Sequence, residues 1–209
     1  GNNITKYPVT STGTDANQFT FVNCEFKNYT KWAITNEYGS SHVDNVIIDK
    51  CLFHDGGSAV YFNPTGYDGQ HSCSYFKMTN TTIYNINYDD WGVGVIHVSA
   101  NGDATGEQNE VEIDHITMYN VSTKEYGAIT VRKSSKLSVT NSIIANPASN
   151  SDKYAFYIYG GNVTNTLYHN SKVNSDAPTM STINADPLFV NAAENNFDLY
   201  ANSPAVGAG

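Results

Sequence analysis

The 209-residue chain has little charge and less positive charge. Charged residues make up 15%, with 11 Lys plus Arg against 20 Asp plus Glu, and Arg132 is the single arginine. At a net charge of −9, with no basic run to neutralise phosphates, the chain is no duplex nucleic-acid binder. No apolar run approaches the roughly 18 residues that span a membrane, so no membrane insertion is expected. Ala, Glu, Lys, Leu and Arg are too sparse for a coiled coil. Gly1 rather than Met stands first and no signal peptide follows it. The chain therefore reads as a piece of a longer, exported precursor. Three cysteines and no CxxC pair make neither a disulfide framework nor a zinc site. Cys24, Cys51 and Cys73 read as small buried hydrophobes. A disulfide between Cys24 and Cys51 stays open on geometry, because they occupy equivalent positions of neighbouring repeats.

What the chain has in quantity is Asn (26 residues) and Tyr (15 residues), with 9 Phe and 2 Trp. Aromatic and β-branched residues at this level exclude a disordered tail. Six ten-residue segments align without gaps, at 19–28, 46–55, 76–85, 111–120, 137–146 and 161–170. Their third position is always apolar: Phe21, Ile48, Met78, Ile113, Val139 and Val163. So is their eighth, or its aromatic equivalent: Phe26, Phe53, Ile83, Met118, Ile144 and Tyr168. The fifth is Asn in four of six, and the tenth is Asn or Asp in all six: Asn28, Asp55, Asn85, Asn120, Asn146 and Asn170. His115, at a fifth position, reads as a member of the same ladder. A second alternating segment follows the first five motifs, at 32–35, 59–63, 94–99, 128–133 and 155–160. Each repeat thus holds three short strands, two inside the motif and one after a variable loop. One repeat cannot bury its apolar residues alone, whereas stacked copies build a continuous core. The starts are 27, 30, 35, 26 and 24 residues apart, too irregular for propeller blades and suited to loop insertions at one point of each coil. The fold expected is an all-β, single-stranded parallel β-helix of about six to seven coils, with Asn ladders at its corners.

The stretch ADPLFVNAAENNFDLYANSPAVGAG (185–209) resembles the closing segment of bacterial right-handed β-helix proteins of the pectate-lyase type. With the six coils, the resemblance covers most of the chain from about residue 19. It implies a right-handed single domain over 1–209, with an N-terminal cap or linker at 1–18, coils at 19–184 and a C-terminal capping segment at 185–209 that closes the open end. It says less about activity, because that superfamily includes lyases, hydrolases, esterases and non-catalytic proteins. It also implies that a ligand groove runs over the strand that follows the long loop.

Alternation sets the phase of that strand. Ile34, Val60, Ile96, Ile129 and Phe156 point inward, as do Phe62, Val98, Val131 and Ile158. One outward column is then Thr35, Tyr61, His97, Thr130 and Tyr157, and a second is Asn63, Ser99, Arg132 and Tyr159. Bordering loops carry Trp32, Tyr88, Asp89, Asp90, Trp91, Lys124, Glu125 and Tyr126. A face with three Tyr, a His, the only Arg and both Trp at its edge suits sugar rings and hydroxyls. Tyr stacking that merely stabilises the sheet would give part of the same pattern. The expected contact set is Trp32, Tyr61, Asn63, Trp91, His97, Arg132, Tyr157 and Tyr159, with the aromatics stacking on sugars and His97, Arg132 and Asn63 bonding hydroxyls.

The function expected is a non-catalytic carbohydrate-binding module, for which the resemblance offers a context in bacterial xylan-degrading proteins. Its partner would be a polysaccharide or oligosaccharide, a neutral xylan-like glycan above others. It would be secreted or on the cell surface and covalently linked to catalytic domains. The alternative is a polysaccharide lyase with its base among His97, Arg132 and Lys133, although one Arg and an acidic chain suit a polyanion poorly. A spacer module is a third reading. A hydrolase would need two placed carboxylates, and the only adjacent acidic pair, Asp89–Asp90, lies in a loop. No catalytic residue and no cofactor is assigned, and the metal ligands stay unknown. Calcium is possible through Asp55, Asp89 and Asp90.

Overall fold

The computed structural model describes residues 8–10, 16–36, 43–62, 73–89, 93–99, 110–132, 136–177 and 179–208. A two-residue strand β1 (Val9–Thr10) leads into the first coil, made of β2 (Ala16–Val22), β3 (Glu25–Lys27) and β4 (Trp32–Thr35). The second coil is β5 (Val43–Asp49), β6 (Leu52–Gly56) and β7 (Ser58–Phe62), and the third is β8 (Cys73–Thr79), β9 (Thr82–Tyr88) and β10 (Ile96–Ser99). The fourth is β11 (Glu110–Asp114), β12 (Thr117–Thr123) and β13 (Gly127–Arg132). The fifth is β14 (Lys136–Thr140), β15 (Ile143–Ala145) and β16 (Tyr154–Ile158), with a 3-10 turn at Ala148–Asn150. In the sixth, β17 (Asn162–His169) bends through the first corner before β18 (Lys172–Ser175), and β19 (Thr179–Asn184) starts a seventh. A hairpin of β20 (Phe189–Asn191) and β21 (Asn196–Leu199) follows.

Every strand of the coils pairs in parallel with its counterparts one coil away, so three walls form. The third wall runs β1-β4-β7-β10-β13-β16-β18. The first and second walls are joined into one path because β17 belongs to both. The chain is therefore a parallel β-helix, and the motif alignment is its register: Phe21 pairs with Ile48, Ile48 with Met78, Met78 with Ile113 and Ile113 with Val139. Stacked inward side chains fill a single core, in which Phe26 and Phe53 lie parallel with ring centres 4.7 Å apart.

The corners follow from backbone sterics. Turning one wall into the next takes a left-handed residue, and all six fifth positions have positive φ, from 49° at Asn80 and Asn141 to 55° at Asn23. Asn tolerates this conformation best after Gly. Side chains lock successive corners together: Asn80 Nδ2 donates to Asp49 Oδ1 (2.8 Å) and Asn141 Nδ2 to Asp114 Oδ1 (2.9 Å). His115 shares the left-handed backbone, but its ring bonds Asp114 beside it at 2.7 Å instead of a neighbouring coil. Except at Ile116, the sixth position carries a small donor that reaches back to the carbonyl two residues earlier, as from Thr81 to Thr79 (2.8 Å) and from Cys51 to Asp49 (3.3 Å). Cys24 and Cys51 are free thiols serving in this column, and Cys73 is a buried free thiol.

Two features depart from expectation. In the tenth-position ladder, Asn85 Nδ2 donates to Asp55 Oδ1 (3.2 Å) and Asn120 Nδ2 to Asn85 Oδ1 (2.8 Å), but Asn146 does not continue it. The inserted 3-10 turn delivers Asn150, whose Nδ2 donates to Asn120 Oδ1 (3.2 Å). Asn146 is buried instead and accepts the Val121 amide at 2.8 Å. The second departure is the closing segment. Its Phe197 meets Tyr84 and Tyr119, both with centroids 5.5 Å away, so the hairpin lies along the flank of the third and fourth coils and not across the open end.

Candidate binding face on the third wall

The register sets the outward column as the alternation predicts. Thr35 pairs with Tyr61, Tyr61 with His97, His97 with Thr130 and Thr130 with Tyr157, while Ile34, Val60, Ile96, Ile129 and Phe156 are fully buried. In the second column Ser99 pairs with Arg132, and Tyr159 stands just after β16, its amide donating to the Val131 carbonyl at 3.2 Å. Asn63, Asp90, Trp91 and Lys133 lie outside the described residues.

A ring ladder runs along this wall. Trp32 stacks on Tyr61 at 4.2 Å and 10°, and Tyr61 meets His97 at 5.1 Å. His97 meets Tyr126 at 5.8 Å, Tyr126 meets Tyr157 at 4.7 Å, and Tyr157 meets Tyr159 at 5.6 Å. The run crosses five coils parallel to the helix axis. Tyr126 was absent from the contact set expected from sequence, because it belongs to no strand. It stands one residue before Gly127, and Thr123 Oγ1 donates to its carbonyl, which closes the turn that lays its ring on the wall. Arg132 is half-buried and its Nη1 donates to the Tyr126 hydroxyl at 3.2 Å, so its guanidinium is held against that ring, 5.6 Å from the centroid.

Two expected surface contacts turn out to be buried supports. Trp32 opens β4 and does not sit in a bordering loop; it is 8% exposed, packed with Tyr88 and Val93 in a small cluster of its own. His97 is fully buried. Its Nδ1 accepts the Gly94 amide at 3.1 Å, so Nε2 holds the proton and donates to Ser99 Oγ at 2.8 Å. Burial, then the nearby Arg132 charge, depresses its pKa to about 3 and keeps the ring neutral. Both atoms that would meet a sugar hydroxyl are thus occupied. Gly94 is needed for this arrangement, because a Cβ there would collide with Thr130 Oγ1. The accessible part of the ladder is Tyr61, Tyr126, Tyr157 and Tyr159, the last 36% exposed. The adjoining Tyr159 hydroxyl, followed by partial burial, pushes the Tyr157 phenol up to about 12, so that phenol stays protonated at physiological pH.

Among the described residues no group of three or more His, Cys, Asp or Glu is placed to hold a metal ion. Asp89 is exposed and Asp55 belongs to the corner ladder. Among the described residues no helix is long and apolar enough to cross a membrane. No protein-family model matches the chain, and no curated protein matches it.

Proposed function

We propose that this β-helix is a carbohydrate-binding module that holds a polysaccharide along the third wall without cleaving it. The observation that carries this reading is the continuous ring ladder from Trp32 to Tyr159, whose half-exposed members are all tyrosines. Tyr rings offer an apolar face to a sugar and a hydroxyl to its substituents. A ladder parallel to the helix axis lets one glycan cross several coils. The net charge of −9 and a single arginine already bound to Tyr126 favour a neutral, xylan-like chain over a uronate polymer. The setting that goes with this reading is a secreted or surface-attached protein in which the module is linked to catalytic domains. The lyase alternative loses its most natural base, because His97 is buried with both ring nitrogens engaged.

Affinity electrophoresis in neutral and uronate-rich polysaccharides, with and without calcium, tests the proposal. Absorbance of 4,5-unsaturated product and new reducing ends are followed in the same mixtures. Retardation by a neutral chain without product is expected, and it should disappear in Tyr157→Ala/Tyr159→Ala. Unsaturated product, or unchanged retardation of the folded double variant, would overturn it.

A further inference from the structure

The C-terminal hairpin encloses a second concavity on the opposite flank, remote from the ring ladder. It has a volume of about 310 Å³ and lies between the hairpin and the fourth to sixth coils. This is the lower end of the range for small-molecule sites, about 300–1,000 Å³, and gives room for a ring-sized ligand and not a polymer. Its apolar walls are Tyr119, Phe189 and Tyr200, the last 52% exposed at the rim. Its polar lining is His169, Asn170 and Asp186, together with Asn146, whose side-chain amide is already bonded to Val121 and Ser171.

The unused hydrogen-bonding capacity of that lining sets it apart. Asp186 Oδ1 accepts the Leu188 amide at 2.8 Å, and its second oxygen has no partner among the described residues. Asn170 Nδ2 donates to the Asn146 carbonyl at 2.9 Å, which leaves its Oδ1 as an acceptor. Among the described residues neither ring nitrogen of His169 and no atom of the Tyr119 hydroxyl is engaged. The rim is preordered: Leu188 holds a left-handed backbone, φ 54°, between the Asp186 bond and a bond from the Tyr200 amide to its carbonyl (3.0 Å). A bulky residue in that conformation is strained and persists only where its surroundings impose it.

We infer that this cavity is a binding site for a single sugar unit, a free monosaccharide or the terminal unit of an oligosaccharide. A sugar ring both donates and accepts through its hydroxyls and carries an apolar C–H face. That matches two acceptor oxygens, an imidazole able to do either, a phenol and three aromatic rings. A quaternary ammonium would suit the rings and Asp186 but would leave His169 and Asn170 unused. The site is independent of the third wall, and neither proposal rests on the other.

The test is an amide-shift titration of the labelled protein. The probes are xylose, glucose, galactose, mannose, arabinose, galacturonic acid and their disaccharides, with tetramethylammonium as a further arm. At least one sugar should move the Asn170, Leu188 and Ala192 amides, with half-saturation in the millimolar range. Ala192→Trp, which fills the cavity, should abolish these shifts, and His169→Ala should weaken them several-fold. Unchanged Asn80 and Asn141 amides verify the fold of both variants. Tyr157→Ala/Tyr159→Ala should leave the shifts intact. Silence of these amides with every sugar, or response to tetramethylammonium alone, would overturn the inference. Sugar shifts confined to third-wall amides would also overturn it while upholding the polysaccharide reading.

Discussion

The Gly94 amide and His97 Nδ1 form a hydrogen bond of 3.1 Å that only a neutral imidazole can accept. The native state holds His97 at a pKa of about 3 against an ordinary 6.5, through burial and then the Arg132 charge. The unfolded chain therefore takes up a proton that the folded one refuses. The stabilisation is complete above about pH 6.5 and is lost as pH falls towards 3, by up to about 1.4 kcal/mol per pH unit. Urea unfolding from pH 7.5 to 4.5 should show this slope, and His97→Gln should flatten it. A second loss should begin below about pH 4 and survive the substitution. Hydrogen bonds from Asn80 and Thr79 hold the Asp49 carboxyl below its usual range, and protonation removes that advantage. An unchanged slope between pH 6.5 and 4.5 in His97→Gln would refute the assignment.

Asn80 combines a left-handed backbone, φ 49°, with a 2.8 Å bond to Asp49 on the previous coil. Asn80→Ala loses both, at about 1–2 kcal/mol for the conformation and about 1 kcal/mol for the bond. Asn80→Gly loses only the bond and should cost about 1 kcal/mol. Equal destabilisation of the two variants in urea would show that backbone conformation contributes nothing at this corner.

The ladders explain why so much of this architecture was legible in sequence. In a stacked fold a residue's neighbours are its own counterparts, so the alignment of Phe21, Ile48, Met78, Ile113 and Val139 is itself the contact map. What broke the period was not legible. The turn before β16 handed the ladder place of Asn146 to Asn150, because an insertion shifts which residue reaches the corner. On the third wall, alternation gave the direction of Tyr61 and His97 but not the depth of what covers them. His97 lies against Tyr61 of the neighbouring strand and Tyr126, which is presented by a turn whose packing has no period. Trp32 was misplaced for the same reason, and Tyr126 escaped because a turn, not a strand, presents it. The hairpin's resting place depends on Tyr84 and Tyr119, two outward residues that no repeat rule distinguishes.

Burial separates support from contact along the ring ladder. Trp32 is 8% exposed and stacked at 4.2 Å on Tyr61, so Trp32→Ala should cost about 3–5 kcal/mol. Tyr159, 36% exposed, should cost under about 0.5 kcal/mol as Ala. Thermal unfolding and affinity electrophoresis should therefore dissociate: Trp32→Ala loses stability first, and Tyr159→Ala loses retention while its unfolding midpoint holds. Equal effects on both measurements would mean that the ladder is purely structural.

Phe197 is the hub of the flank contact, with Tyr84 and Tyr119 at 5.5 Å and Phe189 at 5.3 Å. A two-stranded hairpin is marginal in water on its own, so β20 and β21 depend on this packing. The walls do not depend on it, because β9 and β12 pair with each other and with their neighbours in the stack. Phe197→Ala should therefore release the hairpin as a local unit. Hydrogen exchange should accelerate at the Tyr200 amide, whose bond to Leu188 the hairpin maintains, while the amides of β9 and β12 keep their protection. Loss of protection spreading into β12 and β15 would mean that the segment closes the core after all. Retained protection at Tyr200 would show that the ring cluster does not hold the hairpin in place.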